Sequence, residues 1–302
     1  MALIIGLIPV LVWGMIPTIL SKIGGKPANQ ILGVTMGSTI AAVIVFFATG
    51  TKLPTGFNLF LCVLSGFGWG FGQTLAFKGY QLVGSSIVMP ITTAFQLIAT
   101  ALWGAFALNS WSGVLNKTIG IIALLVIILG ATLTTWTEHR QKTNAAAIKQ
   151  TVILLLIGTI GYWLYSAAPQ VPNLTWAKGF LPKMEPMTAL EVFLPQVIGM
   201  LLAAVLYALL NIKKQNAFVE KVTYKQIVGG LLAVIAALAY LSAAQPQMLG
   251  LSNAFVLSQV SVVVATLTGI YMLKQTKTHK EMIYTNIGLA LIVAAASVTA
   301  II

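Results

Sequence analysis

Neutral polar and aromatic side chains recur inside stretches of this sequence that carry no charge. Ser65, Trp69 and Gln73 stand four residues apart, so on a helix they lie on one face. Amides and hydroxyls in an apolar medium need hydrogen-bond partners, so such faces are expected to meet other helices or a wet cavity. The candidate substrate-binding residues are Trp13, Trp69, Gln73, Gln96, Tyr162, Trp163, Gln196 and Gln259.

This set of groups suits an uncharged ligand with many hydroxyls. A sugar has hydroxyls that donate and accept hydrogen bonds, and its C–H faces lie against aromatic rings. A cationic drug would favour a carboxylate in the middle of an apolar stretch, and an anionic metabolite would favour a lysine or arginine there; the sequence has neither. For each residue taken singly, the alternative is that it only bonds a neighbouring helix.

The sequence gives no sign of an enzyme or of an ATP-driven pump. His139 and His279 stand in basic loops, and no Ser–His–acid set or carboxylate pair falls within one apolar stretch. No phosphate-binding loop for ATP is present, so transport is not expected to be driven by ATP on this chain, and no ATPase subunit is expected as a partner. One cysteine, Cys62, excludes an internal disulfide, and neither a metal nor a cofactor is expected. Glu191 is the acid nearest to an apolar stretch and the weak candidate for a proton carrier; the alternative is an ordinary interfacial residue.

The elements that position these residues are predicted to be membrane-spanning helices. Of 302 residues, 58% are hydrophobic and 7% are charged, whereas soluble proteins have about 25% charged residues. Ten uncharged stretches are each close to the ~20 residues with which a helix crosses a bilayer. Lipid offers no partner to a free backbone group, so each stretch should be a helix. The stretches cover about residues 2–20, 29–50, 57–77, 86–108, 118–137, 150–168, 192–212, 226–244, 250–273 and 282–302.

Prolines stand inside several of these stretches. A proline lacks the N–H that a helix needs, so the carbonyl four residues earlier is left free. Pro9 and Pro17 in the first stretch and Pro90 in the fourth are therefore expected to break their helices near the binding site. Freed carbonyls there could serve as ligands.

The positions of lysine and arginine predict how the chain is oriented. Loops alternate between two sides, and 13 of the 17 basic residues fall on one side and 4 on the other. Basic loops stay in the cytoplasm, so the chain is expected to be a multi-pass protein of the cell membrane with both termini outside. Because the basic residues are spread over five short loops, the net charge of +12 does not indicate a nucleic-acid partner.

Short motifs recur in the same order in both halves of the chain. Asn29–Gly33 is matched by Pro195–Gly199, and Gln81–Ser86 by Gln247–Ser252, each 166 residues later. Five stretches in each half is an odd number, so the second half must enter the bilayer from the opposite side. The predicted fold is an all-α membrane protein of ten transmembrane helices in an inverted 5+5 repeat, with residues 1–140 as the first five-helix repeat and 141–302 as the second. Chance similarity between apolar helices is the alternative.

Four segments carry a resemblance to a known family. They are Trp13–Gly14 with Gly24–Pro27, Ser65–Gln73 with Val83–Pro90, Gly161–Gln170, and Ser258–Gly269. Over nearly its whole length the chain resembles the glucose/ribose uptake porters of Gram-positive bacteria, within the drug/metabolite transporter superfamily, and is closest to their ribose-uptake branch. The resemblance implies ten helices, an inverted repeat and sugar uptake with protons.

Three functions are open at this point. The first is a secondary transporter, or permease, for uptake of a monosaccharide, ribose or glucose, in which one repeat rocks against the other. The second is an exporter of drugs or small metabolites on the same ten-helix fold, because a fold does not fix a function. The third is a membrane receptor or regulatory subunit that moves no substrate.

Overall fold

A computed structural model describes residues 1–83, 85–138, 144–177, 179–274, 277–299 and 301–302. Every regular element in these residues is a helix. The α-helices are α1 (Ala2–Ile23), α2 (Pro27–Thr49), α3 (Gly56–Val83), α4 (Ser85–Ala107), α5 (Gly113–Thr134), α6 (Ala145–Ala167), α7 (Ala189–Leu210), α8 (Lys221–Lys225), α9 (Ile227–Ala243), α10 (Gly250–Ser258), α11 (Ser261–Met272) and α12 (His279–Thr299). Two 3-10 turns, Ala168–Asn173 and Thr175–Ala177, follow α6. Gly84, His139, Arg140, Lys142, Lys178 and the predicted boundary between the repeats lie outside the described residues.

The helices confirm the prediction of an all-helical, multi-pass membrane protein. Within the described ranges, nine helical segments are long and apolar enough to cross a bilayer. The pair α8–α9 and the pair α10–α11 each form one such segment, and α4 contributes a shorter apolar helix, Ile91–Ala107. The apolar stretches of the sequence therefore correspond in order to helices of the structure.

The helices pack as two bundles and one outlying pair. The first bundle contains α3, α4, α6 and α7, with α6 and α7 both packed along α3. The second contains α1, α2 and α8–α11, in which α9 contacts α1 and α2, and α11 contacts α1. The two bundles meet where α2 packs on α7 and α4 packs on α10, and this interface is called the seam. α5 and α12 pack on each other beside the bundles.

Glycines allow the closest contacts between helices. A methyl group on Gly66 of α3 or on Gly199 of α7 would overlap the backbone of the other helix. A methyl group on Gly33 of α2 would likewise overlap a backbone carbonyl of α8, and one on Gly37 would overlap a backbone carbonyl of α9. Missing side chains let the helix axes approach in lipid, where no hydrophobic effect pushes helices together.

One membrane span is interrupted near its middle. Gln259 and Val260 separate α10 from α11. Here backbone bonds reach only three residues back, from the Gln259 N–H to the Val256 carbonyl at 3.1 Å and from the Val262 N–H to the Gln259 carbonyl at 3.0 Å. This tighter 3-10 winding divides the span into two half-helices.

The prolines chosen from the sequence do not break their helices. α1 continues through Pro9 and Pro17, and α4 continues through Pro90, so that expectation is wrong. A proline inside a helix removes one backbone bond, and packing by neighbouring helices holds the backbone in the helical form in spite of that loss.

The connections between helices gather at two ends of the molecule. At one end Asn58 donates to the Glu185 carbonyl at 3.0 Å, and Asn253 donates to the carbonyl of the C-terminal Ile302 at 3.1 Å. α1 also begins there, so this is called the terminal end. At the opposite end, Lys280 pairs with an acid of the α5–α6 connection at 2.9 Å. This second end carries most of the basic loops and is called the lysine-rich end.

Candidate binding site

A backbone carbonyl of α6 is the polar centre of the first bundle. Pro169 has no N–H to donate to the Tyr165 carbonyl four residues earlier. Ser65 of α3 donates its hydroxyl to that carbonyl at 2.9 Å, and Gln196 of α7 donates its amide at 3.1 Å. Ser65 and Gln196 are fully buried, and Gln196 Oε1 has no hydrogen-bond partner among the described residues. Neutral groups thus join α3, α6 and α7 at this carbonyl, and Gln196 Oε1 remains as an acceptor without a partner in the described part of the chain.

Aromatic rings of the second bundle cover this centre from across the seam. The Tyr240 ring of α9 lies parallel to the Tyr165 ring, with centroids 6.2 Å apart. Trp13 of α1 and Phe255 of α10 pack against Tyr240 at 5.4 and 6.4 Å. The Tyr240 hydroxyl hydrogen-bonds the Ser166 hydroxyl of α6 at 2.9 Å. The site therefore combines ring faces with neutral donors and acceptors.

The interrupted span passes beside these rings. Gly14 of α1 lies so close to the Ser261 carbonyl, just after the interruption, that a side chain on it would collide. Further along, the hydroxyls of Thr18 and Thr268 hydrogen-bond at 2.7 Å. α1 therefore follows both half-helices and brings Trp13 to the level of the interruption.

Burial differs sharply between the two half-helices. Each of the nine residues of α10 is buried, whereas residues 261–266 of α11 are only half-buried. Residues 165–170 of the first bundle are buried as well, while Gln73, Gln96 and Gln259 are half-buried. Along the interrupted span, the packing is therefore tight toward the terminal end and looser toward the lysine-rich end.

The structure brings together some of the predicted site residues. Trp13 and Gln196 belong to the ring and amide cluster around Tyr165. Gln73 and Tyr162 also meet, because the Tyr162 hydroxyl donates to Gln73 Oε1 at 3.0 Å. Both of the latter belong to the first bundle.

Other predicted residues bond within their own helices or pack among apolar groups. Gln96 donates to Thr92 Oγ1 at 3.1 Å, and Gln259 donates to Ser258 Oγ at 3.3 Å. Trp69 packs between the two largest apolar clusters of the molecule. These two bonds of Gln96 and Gln259 stay on one helix or its end, whereas the alternative considered for them was bonding to a neighbouring helix.

Trp163 lines a cavity of about 290 Å³ near the terminal end. The lining side chains are apolar or aromatic, among them Trp103, Trp176 and Phe180. The Trp163 ring packs edge-on against Trp103 at 5.1 Å. A sugar needs several hydroxyl partners at once, and this lining does not offer them. The cavity therefore does not suit a sugar by itself.

Glu191 lies at the start of α7 and caps that helix. Its carboxylate accepts from the Thr188 N–H at 2.7 Å and from the Thr188 hydroxyl at 2.8 Å. The Glu191 N–H faces the Thr188 hydroxyl in return, which completes a capping box. Among the described residues, no three His, Cys, Asp or Glu side chains lie together where they could hold a metal ion.

Tyr165 and Tyr240 belong to the candidate site, with Ser166 beside them, and none of the three is among the predicted substrate-binding residues. Tyr165 and Ser166 fall within the Gly161–Gln170 segment, and the spacing from Tyr165 to Pro169 signals a freed carbonyl. Tyr240 stands among alanines and leucines, so its sequence neighbours give no sign of its role.

Comparison with known proteins places the chain among transporters. The model of a family described as "Sugar transport protein" matches residues 4–302. A protein of Staphylococcus aureus (strain N315), named "Putative ribose uptake protein RbsU", is 51% identical over 298 residues, which cover 99% of this chain and 97% of the relative. A Staphylococcus epidermidis protein of the same name is 52% identical over the same shares of both chains.

A solved crystal structure has a similar fold. It is 18% identical, superposes with a TM-score of 0.72, and the match covers 98% of this chain and 95% of that one. At this identity the similarity concerns the arrangement of helices and not the substrate.

Proposed function

Because the chain belongs to the sugar transport protein family, we propose that it takes up a monosaccharide, with ribose as the substrate, across the cytoplasmic membrane. It is a multi-pass membrane transporter and not an enzyme. Ribose is preferred to glucose because the Staphylococcus relatives are named for ribose uptake. The observation that carries the proposal is the meeting of ring faces and neutral hydrogen-bonding groups at the seam.

The sugar is proposed to bind between the Tyr165 centre and the rings of the second bundle. Trp13 and Tyr240 supply ring faces for C–H groups. Gln196 has a free acceptor that would take a sugar hydroxyl as donor. Half-buried Gln73, Gln96 and Gln259 are proposed to line the path of entry, where an entering sugar would exchange its water for amides.

The ten helices are proposed to form an inverted 5+5 repeat. The packing supports this. When each helix is replaced by the helix at the same place in the other half of the chain, the principal pairs of helices that contact each other stay the same. The contact of α3 with α6 then corresponds to that of α9 with α1, and α3 with α7 corresponds to α9 with α2. The pairs α2–α7, α4–α10 and α5–α12 correspond to themselves. Such exchange symmetry is the pattern of many secondary transporters.

Access to the site is proposed to alternate by rocking of the two bundles. Each bundle takes two spans from either half of the chain, so the moving units are not the two sequence repeats. In the state described here the seam is closed at the terminal end. With the lysine-rich end placed in the cytoplasm and both termini outside, the terminal end that α10 closes is the outward end.

Coupling to protons is part of the proposal, with Glu191 as the carrier. Its carboxylate accepts two hydrogen bonds from Thr188, so protonation would weaken the capping box at the start of α7. If this is right, a protonophore stops accumulation, and Glu191→Gln equilibrates sugar without concentrating it. Accumulation by Glu191→Gln equal to that of the wild type removes Glu191 from the mechanism.

Uptake of labelled ribose and of labelled glucose tests the function in cells that lack their own carriers. We expect ribose uptake by the wild type and a fall of about tenfold in Gln196→Ala, which loses two donated hydrogen bonds and the free acceptor. Gln150→Ala is the matched control, because Gln150 is an exposed amide of α6. Efflux of preloaded drugs without sugar uptake would support the exporter instead.

A further inference from the structure

α10 is a short half-helix with a break in the helical backbone at each of its ends. It begins at Gly250, whose φ of 73° is a left-handed conformation that favours glycine. It ends at the Gln259–Val260 interruption, which separates it from α11. A change of direction at these two junctions would let α10 tilt as a unit, leaving its own contact with α1 while α11 stays packed there.

Two neutral hydrogen bonds hold α10 against the other side of the seam. Ser252 donates its hydroxyl to the Ala101 carbonyl of α4 at 2.6 Å, and both residues are fully buried. Trp111, in the α4–α5 connection, donates its indole N–H to Asn253 Oδ1. Gly104 makes this contact possible, because a side chain there would overlap Ser252.

α10 is the tightly buried half of the interrupted span, and it covers the proposed sugar site. Phe255 of α10 covers Tyr240, which in turn covers Ser166. An outward path from the site to the terminal end is thus blocked by α10. Water can replace both neutral hydrogen bonds when α10 tilts away, so opening leaves no polar group without a partner.

We propose that α10 is the gate at the terminal end of the transport path, held shut by Ser252 on α4 and by Asn253 with Trp111. The identity of the molecule that passes the gate rests on the proposed function. The existence of the gate can be tested separately, because opening changes which residues water can reach.

A disulfide across the gate tests whether opening is needed for transport. A Cβ atom on Gly250 would lie 3.3 Å from the Ser110 Cβ, close to the ~3.5–4.5 Å found in disulfides. In a Cys62→Ala background, the Ser110→Cys, Gly250→Cys pair should lose at least about tenfold in ribose uptake when oxidised and recover with a reductant. Gly250→Cys alone is the matched control for backbone strain. Full uptake with a disulfide that has formed completely overturns the proposal.

Labelling tests the gate without transport. Ser166→Cys, in the same Cys62→Ala background, is treated from the outside of the cell with a membrane-impermeant maleimide. Adding Trp111→Phe, which keeps a ring and removes the N–H, should raise the labelling rate several-fold; Trp176→Phe, a change in an exposed indole, should not. An unchanged rate with Trp111→Phe overturns the gate. If the wild type takes up no sugar but Trp111→Phe still raises labelling, the proposed function fails while the gate stands.

Discussion

The two ends of the molecule are joined by different chemistry. At the terminal end, the bonds that cross the seam connect neutral, buried groups: Ser252 with α4, and Asn253 with Trp111. At the lysine-rich end, carboxylates and ammonium groups make the connections, such as Glu220 with Asn29 and Lys280 with Glu138. Those charged contacts lie within the second bundle or beside the α5–α12 pair and do not cross the seam.

This difference shows that the charged contacts gather at one end of the molecule, whereas the contacts that the proposed movement of the seam would exchange are neutral. A neutral hydrogen bond replaced by water changes the free energy by only about 1 kcal/mol. Removing one partner of a buried charge pair costs roughly 3–5 kcal/mol. A seam closed by neutral groups can therefore open and close on small energy differences.

A charge placed at the terminal end should have the largest effect. Asn253→Asp puts a carboxylate opposite the Ile302 carbonyl oxygen and loses the amide donor. With Asn253 only 6% exposed, we expect the free energy of unfolding to fall by roughly 3 kcal/mol. Thermal unfolding of the purified protein measures this. Asn216→Asp, the same change at an exposed residue of the lysine-rich end, is the control and should have no effect.

Removing the carboxylate at the lysine-rich end should have a smaller effect: a slight loss of stability at neutral pH that disappears in acid, where the wild type loses the same contribution. Hydrogen bonds from Asn29 and then Gln215 lower the pKa of Glu220 below its ordinary value of 4.5. The stability that the carboxylate contributes is therefore present above about pH 4.5 and lost as the pH falls through the lowered pKa. Glu220→Gln should lack this loss in acid.

Thermal unfolding of Glu220→Gln and wild type across the acid range checks this, and uptake should be kept at neutral pH. The amide of the variant still accepts from Asn29, so the α2–α8 contact stays closed. Loss of uptake in Glu220→Gln at neutral pH would mean that the charged contacts take part in transport.

The sequence predicted the helices well, and it selected only some residues of the candidate site. Uncharged apolar length is a local property, so it located the spans, and Gln196 was selected because an amide in lipid must have partners. Tyr240 was missed because its role depends on which helix packs across from it. The interruption at Gln259 has no proline or glycine to signal it, so the winding there is decided by packing with α1. Pro169, just past α6, leaves the Tyr165 carbonyl free to accept from Ser65, whereas α1 continues through Pro9 and Pro17.

Removing an exposed ion pair at the lysine-rich end should have the smallest effect. Lys280 is 69% exposed in its contact with Glu138, and salt and water screen such pairs. Lys280→Ala should therefore leave both the melting temperature and the uptake rate at wild-type values, at low and at high salt. The distance of 2.9 Å shows that the pair forms, but formation and contribution to stability are separate quantities. A shift as large as that of Asn253→Asp would mean that this end is held by charge as firmly as the other is held by neutral bonds.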